Sequence, residues 1–197
     1  VASNGCDRYV PDAARSVKIL ILGPFAVGKT TYVGTVSEIR PMHTEERMTQ
    51  AGQLIDDLHG LEEKTTTTVA MDFGRLTLAE DIVLYLFGAP GQPRFRGMVQ
   101  ALTAGALGGL VLADTRRLQD SFDAIDLLEQ AALPYTVAVN AFDGAPEYPE
   151  AELRESMSLD PRTPLVLLDA RRRNSAMSGL ITLVSAILAR PHLEPAP

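Results

Sequence analysis

The stretch GPFAVGKT, Gly23 to Thr30, constrains this chain more than any other. It matches G-x-x-x-x-G-K-[ST], it directly follows the β-branched-rich run VKILIL, and it opens a helical pattern over residues 28–39 that Pro41 closes. A glycine loop between a strand and a helix leaves backbone N–H groups converging on one spot, which favours a bound anion. Backbone groups from Gly23 through Ala26, Val27 and Gly28 to Thr31 can wrap a phosphate, Lys29 can neutralise its oxygens, and the Thr30 hydroxyl can ligate Mg²⁺. A glycine turn carrying a surface lysine is the bland alternative, and the strand and helix on either side argue against it.

The elements that follow point to one α/β domain. A second helix is expected from Thr44 to Gly60, with Met48, Ala51, Ile55 and Leu58 at helical spacing. VAMDFGRLTL alternates at Val69, Met71 and Phe73, then shifts phase through Gly74 and Arg75 to Leu76 and Leu78, which predicts a bulged strand. The turn AED joins it to IVLYLF, apolar throughout, so the pair reads as an antiparallel hairpin. Three more buried strands are expected at GLVLA, YTVAV and LVLL, separated by helices such as residues 121–132, an alternation that means parallel strands with right-handed crossovers. A last helix is expected over residues 174–189, with Met177, Leu180, Ile181, Val184 and Leu188 on one face, before Pro191 stops it. The organisation predicted is a loose leader at 1–16, one domain at 17–190 and a Pro-rich tail at 191–197.

Charge and composition exclude several classes. With 18 Lys+Arg against 25 Asp+Glu the formal charge is −7, which disfavours nucleic acid and anionic membranes as partners. The single cysteine, Cys6, supports neither a disulfide framework nor a zinc site, and His43, His59 and His192 are too scattered for one. No apolar run approaches the ~20 residues needed to cross a bilayer, and the tail has no cysteine to prenylate. A cytoplasmic protein without direct membrane insertion is expected, recruited to a membrane only through a partner.

Two further motifs address the base. Asn140-Ala-Phe-Asp143 falls directly after the YTVAV strand, where a carboxylate can accept both N1–H and the 2-amino N–H of guanine, a donor pair adenine lacks. Asp169-Ala170-Arg171 falls directly after the next strand, where the Ala170 N–H can donate to guanine O6 and the Arg171 stem can lie along the base. Taken alone, N-x-x-D is as readily an Asx turn. Both motifs at consecutive strand ends, on the side where open α/β sheets bind ligands, favour guanine.

From Val17 to Ala189 this set of motifs resembles that of Ras-like small GTPases. TVAMDF is similar to their first switch and its following strand, GAPGQPRFR to the second switch, and GALGGLVLADTRRLQDSF to the fourth strand and its exit. The resemblance implies a P-loop NTPase fold, a mostly parallel mixed sheet of about six strands with helices on both faces. It implies GTP and GDP as ligands with Mg²⁺, a switch threonine at Thr68 (Thr65, Thr66 or Thr67 being neighbouring choices) that binds metal and γ-phosphate, Gly91 reading the γ-phosphate, and Gln92 orienting the attacking water.

Three departures stand out. Gly88 replaces the aspartate that steadies the Mg²⁺ shell, Ala141 replaces the lysine of N-K-x-D, and Phe25 stands where Ras-like loops carry glycine. These departures resemble the bacterial MglA group and, more closely, the small GTPases of actinobacterial conservon operons. That resemblance implies a roadblock-type dimer and a sensor-kinase-like complex as partners. Asp72 is the available substitute for the missing carboxylate. Phe25 either merely covers the loop or crowds Gln92 and an incoming arginine, while Arg94 and Arg96 are surface arginines or a finger supplied in cis. The function expected is a GTP-binding regulatory switch with slow intrinsic hydrolysis. The alternatives are a P-loop kinase of a small metabolite and a non-hydrolysing scaffold stabilised by nucleotide.

Overall fold

The computed structural model describes residues 15–48 and 67–190, with side chains described for 15–42, 71–92 and 94–190. Its sheet has seven strands in the order β2-β3-β4-β1-β5-β6-β7. These are β1 (Arg15–Leu22), β2 (Met42–Met48), β3 (Thr67–Ala79), β4 (Ile82–Gly88), β5 (Ala106–Ala113), β6 (Tyr135–Asn140) and β7 (Leu165–Leu168). Strands β4, β1, β5, β6 and β7 are mutually parallel, while β2 and β3 run antiparallel to their neighbours at one edge. The helices are α1 (Lys29–Val36), α2 (Arg96–Leu102), α3 (Phe122–Gln130), α4 (Glu150–Ser156) and α5 (Arg173–Ala189).

Strands buried on both faces need two cores, and the period-2 alternation supplies them. Ile19 and Ile21 of β1 and Leu110 and Leu112 of β5 pack with α1 and α5 through Tyr32, Val33, Leu180 and Leu183. The intervening Leu20, Leu22, Val111 and Ala113 pack with α3 and α4 through Ile125, Leu128 and Leu153. The two clusters sandwich the sheet, and the parallel strands end together at the edge from which the Gly23–Gly28 loop departs.

Two expectations at β2 and β3 are corrected. The stretch from Thr44 to Met48 is not the start of a helix: it pairs with β3 from Thr44↔Met71 to Met48↔Thr67. Pairing with β3 takes the residues expected to open the helix; the spacing from Ala51 to Leu58 lies outside the described residues. The phase shift at Gly74 and Arg75 is also absent, because the register with β4 runs unbroken from Asp72↔Gly88 to Thr77↔Val83 and slips only between Thr77 and Ala79. Asp72, Gly74 and Leu76 share the inner face, and Gly74 is glycine because a Cβ there would sit 2.8 Å from Val33 Cγ1 of α1. Phe73 on the other face stacks with Tyr85 and meets Phe87 edge-on, so both faces of β3 carry apolar residues and the alternation does not mark one buried face.

In α5 the buried positions are Ala176, Gly179, Leu180 and Leu183, while Ile181 and Leu188 from the expected face are exposed. Arg15 and Ser16 of the expected leader belong to β1. The remainder of that leader and the tail at 191–197 lie outside the described residues. Among the described residues no helix is long and apolar enough to cross a membrane.

Helices α1 and α5 are tied by two polar contacts in the first turn of α5. Arg173 Nη1 donates to the carbonyl oxygens of Thr35 and Val36, taking up the last orphan acceptors of α1, which has no basic residue of its own in that turn. Tyr32 is fully buried and its hydroxyl donates to the Ala176 carbonyl at 2.9 Å, while burial pushes its pKa up. Replacing Tyr32 with Phe should cost about 1–2 kcal/mol of unfolding free energy, read as a lower denaturant midpoint at unchanged slope. An unchanged midpoint would mean that this bond holds nothing.

Candidate nucleotide site

The loop from Gly23 to Gly28 leaves the end of β1 and turns into α1 through Gly28, at φ 99. Two constraints select glycine there: the left-handed backbone, and Asn140 Nδ2, which would lie 2.7 Å from an added Cβ. No side chain caps the N-terminus of α1, so its first N–H groups are left to a ligand. Above them opens a cavity of about 390 Å³ that includes Lys29, Thr30, Thr31 and Asp72 together with Gly91 and Gln92 from the turn after β4. The structure thus brings the loop after β1 and the turn after β4 to one cleft.

Lys29 folds back on its own loop, donating to the Gly23 and Pro24 carbonyls at 2.8 and 2.6 Å. Burial pulls its pKa down to about 8, with the charge of Asp72 opposing that fall and Arg117 adding to it. Thr30 Oγ1 donates to Asp72 Oδ2 at 2.6 Å. Asp72 lies directly opposite Gly88 in the β3–β4 pair, and a Cβ on Gly88 would come within 2.9 Å of Asp72 Cβ and 3.1 Å of its Oδ2. The acid absent from position 88 is therefore present across the strand, in space that only a glycine at 88 leaves free.

Gly91 is pressed against the loop so closely that an added Cβ would lie 2.5 Å from Gly23 O and 2.6 Å from Phe25 N. Gln92 reaches both the large cavity and a small one of about 70 Å³ bordered by α2 and α3, and its Oε1 is buried with no hydrogen-bond partner among the described residues. The Phe25 ring is 64% exposed at the rim of the cleft. Thr68 lies in β3 opposite Arg47 by its backbone, and its side chain is outside the described set. Arg96 pairs with Asp123 at 3.6 Å and Arg94 lies over the Phe95 ring, so each has a partner on the surface.

Beyond Gly28, Asn140, Asp143, Ala170 and Arg171 come together at the ends of β6 and β7, and Asn140 borders a separate cavity of about 410 Å³. Asn140 is buried and bridges two loops, its Nδ2 donating to Val27 O at 3.0 Å and its Oδ1 accepting from Ala170 N at 2.9 Å. This bracketing role was not read from the sequence, because nothing in N-x-x-D says which loops its asparagine will meet. The Arg171 guanidinium spans Asp169 at 2.9 Å and Asp143 at 3.3 Å, and these bonds raise its pKa while lowering that of Asp169. Asp143 is 90% exposed, so its pair with Arg171 is weak and readily exchanged for another donor.

Comparison with known proteins fits this geometry. Residues 21–190 match the model of a family described as "Conserved hypothetical ATP binding protein". The chain belongs to that family. No curated protein matches the sequence. Among solved structures, the fold is similar to the cytosolic domain of the FeoB iron transporter of T. maritima, in its GDP form II and its apo form. Each aligns with a TM-score of 0.63 at 15% identity, over 93% of this chain and 68% of the other. The expected α/β, mostly parallel architecture is therefore a fold shared with that cytosolic domain.

The lowered pKa of Lys29 has a sign that can be checked. Below about 8 the ammonium is charged and attracts phosphate; above it the free site loses that charge, so affinity for a nucleoside triphosphate should fall about tenfold between pH 7 and pH 9. Over the same shift the unfolded lysine keeps its proton up to about 10.5, so this group makes the ligand-free fold more stable as pH rises from about 8 to 10.5. Calorimetry across that range checks the first trend and denaturant unfolding the second.

Proposed function

We propose that the protein is a guanine-nucleotide switch that binds GTP and GDP with Mg²⁺, hydrolyses GTP slowly and changes its affinity for a protein partner between the two states. The observation that carries this reading is the meeting of Lys29, Thr30 and Asp72 with Gly91 and Gln92 in one cleft. A loop that senses the last phosphate must touch both the phosphate cradle and a segment free to move. The segment after β4 touches the cradle through Gly91 and Gln92, and its movement on hydrolysis is part of the reading.

A magnesium ion fits the residues present. Thr30 and Asp72 offer hard oxygen donors within 2.6 Å of each other, and no group of three or more His, Cys, Asp or Glu able to hold a metal occurs among the described residues. That donor set suits an ion bound mainly by phosphate oxygens and water, with Thr30 as ligand, Asp72 through water and Thr68 joining in the triphosphate state. When bound, the ion neutralises phosphate charge. Lys29 must release the Gly23 and Pro24 carbonyls to reach the phosphate, and Gln92 must turn its buried Oε1 outward to hold a water. Both requirements support slow intrinsic hydrolysis, accelerated by a partner that supplies charge or orders Gln92. The exposed Phe25 ring at the cleft rim is placed to meet such a partner. A roadblock-type dimer within a sensor-kinase-like complex remains the partner proposed from the resemblance, in the cytoplasm or recruited from it.

Asp143 is the residue on which guanine selectivity rests. The Ala170 N–H serves guanine O6 only if it is shared with Asn140 Oδ1, which already accepts it. That sharing, and the ATP in the family's description, favour a second reading in which the base is adenine. Asp143→Asn separates them: it should weaken GDP binding by about 10²-fold, from two charge-assisted bonds lost, and leave ADP binding unchanged. Equal and unaltered affinities for GDP and ADP would sink the guanine reading.

A further inference from the structure

Arg117 belongs to none of the phosphate-site motifs, yet its Nη2 donates to the Phe25 carbonyl at 2.6 Å, across 92 positions of sequence. It stands in the turn that leaves β5, where its N–H donates to Asp114 O at 3.0 Å. Its Nε lies 3.7 Å from Asp114 Oδ2 and 3.8 Å from Asp120 Oδ2. Asp114 is fully buried and also binds Arg116 through both carboxylate oxygens, while Arg116 lies 4.3 Å over the Phe142 ring. A buried carboxylate is tolerated only when paired, and here the pairing fixes the root of the arginine that reaches the loop.

The contact acts on the geometry of one peptide. All peptide bonds of the described chain are trans, and a planar trans unit points its N–H opposite its C=O. Holding the Phe25 carbonyl therefore sets the direction of the Ala26 N–H. Ala26 lines the phosphate cleft with φ 62, a left-handed conformation that an L-residue adopts reluctantly and that its surroundings must impose.

Resting on the nucleotide-binding reading above, we propose that Arg117 is a positioning residue of the phosphate loop. It holds the Phe25 carbonyl so that the Ala26 N–H stays aimed at the phosphate chain beyond the first phosphate. Preorganised N–H groups bind an anion without the cost of first ordering the loop. The charge of Arg117 is also felt at Lys29, whose pKa it helps to lower.

The test is calorimetry of the wild type, Arg117→Ala and Arg117→Lys with GDP and GMP, alongside thermal melts. Arg117→Ala should lose about tenfold in GDP affinity and less than about twofold in GMP affinity, narrowing the ratio between them. Arg117→Lys, which keeps a cationic donor on a different stem, should fall between the other two. A merely structural role would lower both affinities together and leave the ratio alone. An unchanged ratio in Arg117→Ala, with binding retained or with both affinities reduced, overturns the proposal. The wild type alone tests the underlying reading: should it prefer adenine nucleotides, ADP and AMP replace GDP and GMP, and Arg117 is judged by the same ratio. A wild type that binds no nucleotide overturns both.

Discussion

Loops between strands and helices carry backbone groups that neither element can satisfy, and in this chain one buried amide takes up one from each of two such loops. Asn140 at the end of β6 accepts from Ala170 N and donates to Val27 O, so the phosphate loop, the strand ends and the segment after β7 are held in one frame. Gly28 is packed against the same amide. The sheet ladder and the apolar cluster that holds Val27, Leu168 and Ala170 carry the same frame, and the amide fixes the two loops against each other where those contacts stop.

On that frame the unusual feature of the site becomes intelligible. The turn after β4 begins with glycine where an acid is expected, and the acid stands on β3, directly across the ladder. Antiparallel register puts two facing residues within one side chain of each other, so a carboxylate can be moved to the neighbouring strand without moving the charge far. The exchange has a steric condition, met here: the residue facing the carboxylate must be glycine. Gly88 and Asp72 form a matched pair, and the Thr30 hydroxyl reads the result.

Much of this was legible in the sequence. The loop, the apolar strands and the N-x-x-D and D-A-R motifs lie where they were expected, because each is a local pattern with a local cause. The misreadings also have causes. At Gly74 the strand keeps its phase, since both faces of β3 are apolar and the small residue answers to Val33 across the interface. From Thr44 to Met48 an expected helix start is a strand, because the capping residues there say nothing of the β3 edge they meet. The substitution of Asp72 for the missing acid could be suggested from sequence, but only the register shows why it fits. The Arg117 contact has no pattern at all, because its partner is a carbonyl, and any residue at position 25 would present one.

The central claim is that this cleft is a guanine-nucleotide site whose metal answers to a carboxylate on the neighbouring strand. Its most direct test is calorimetric titration of nucleotide-free protein with a non-hydrolysable GTP analogue, in Mg²⁺ and in chelator, for the wild type and Asp72→Ala. The account predicts that Mg²⁺ tightens binding to the wild type by at least about tenfold and that Asp72→Ala loses most of that gain. A wild type indifferent to Mg²⁺, or an Asp72→Ala variant that keeps the full effect, would contradict it.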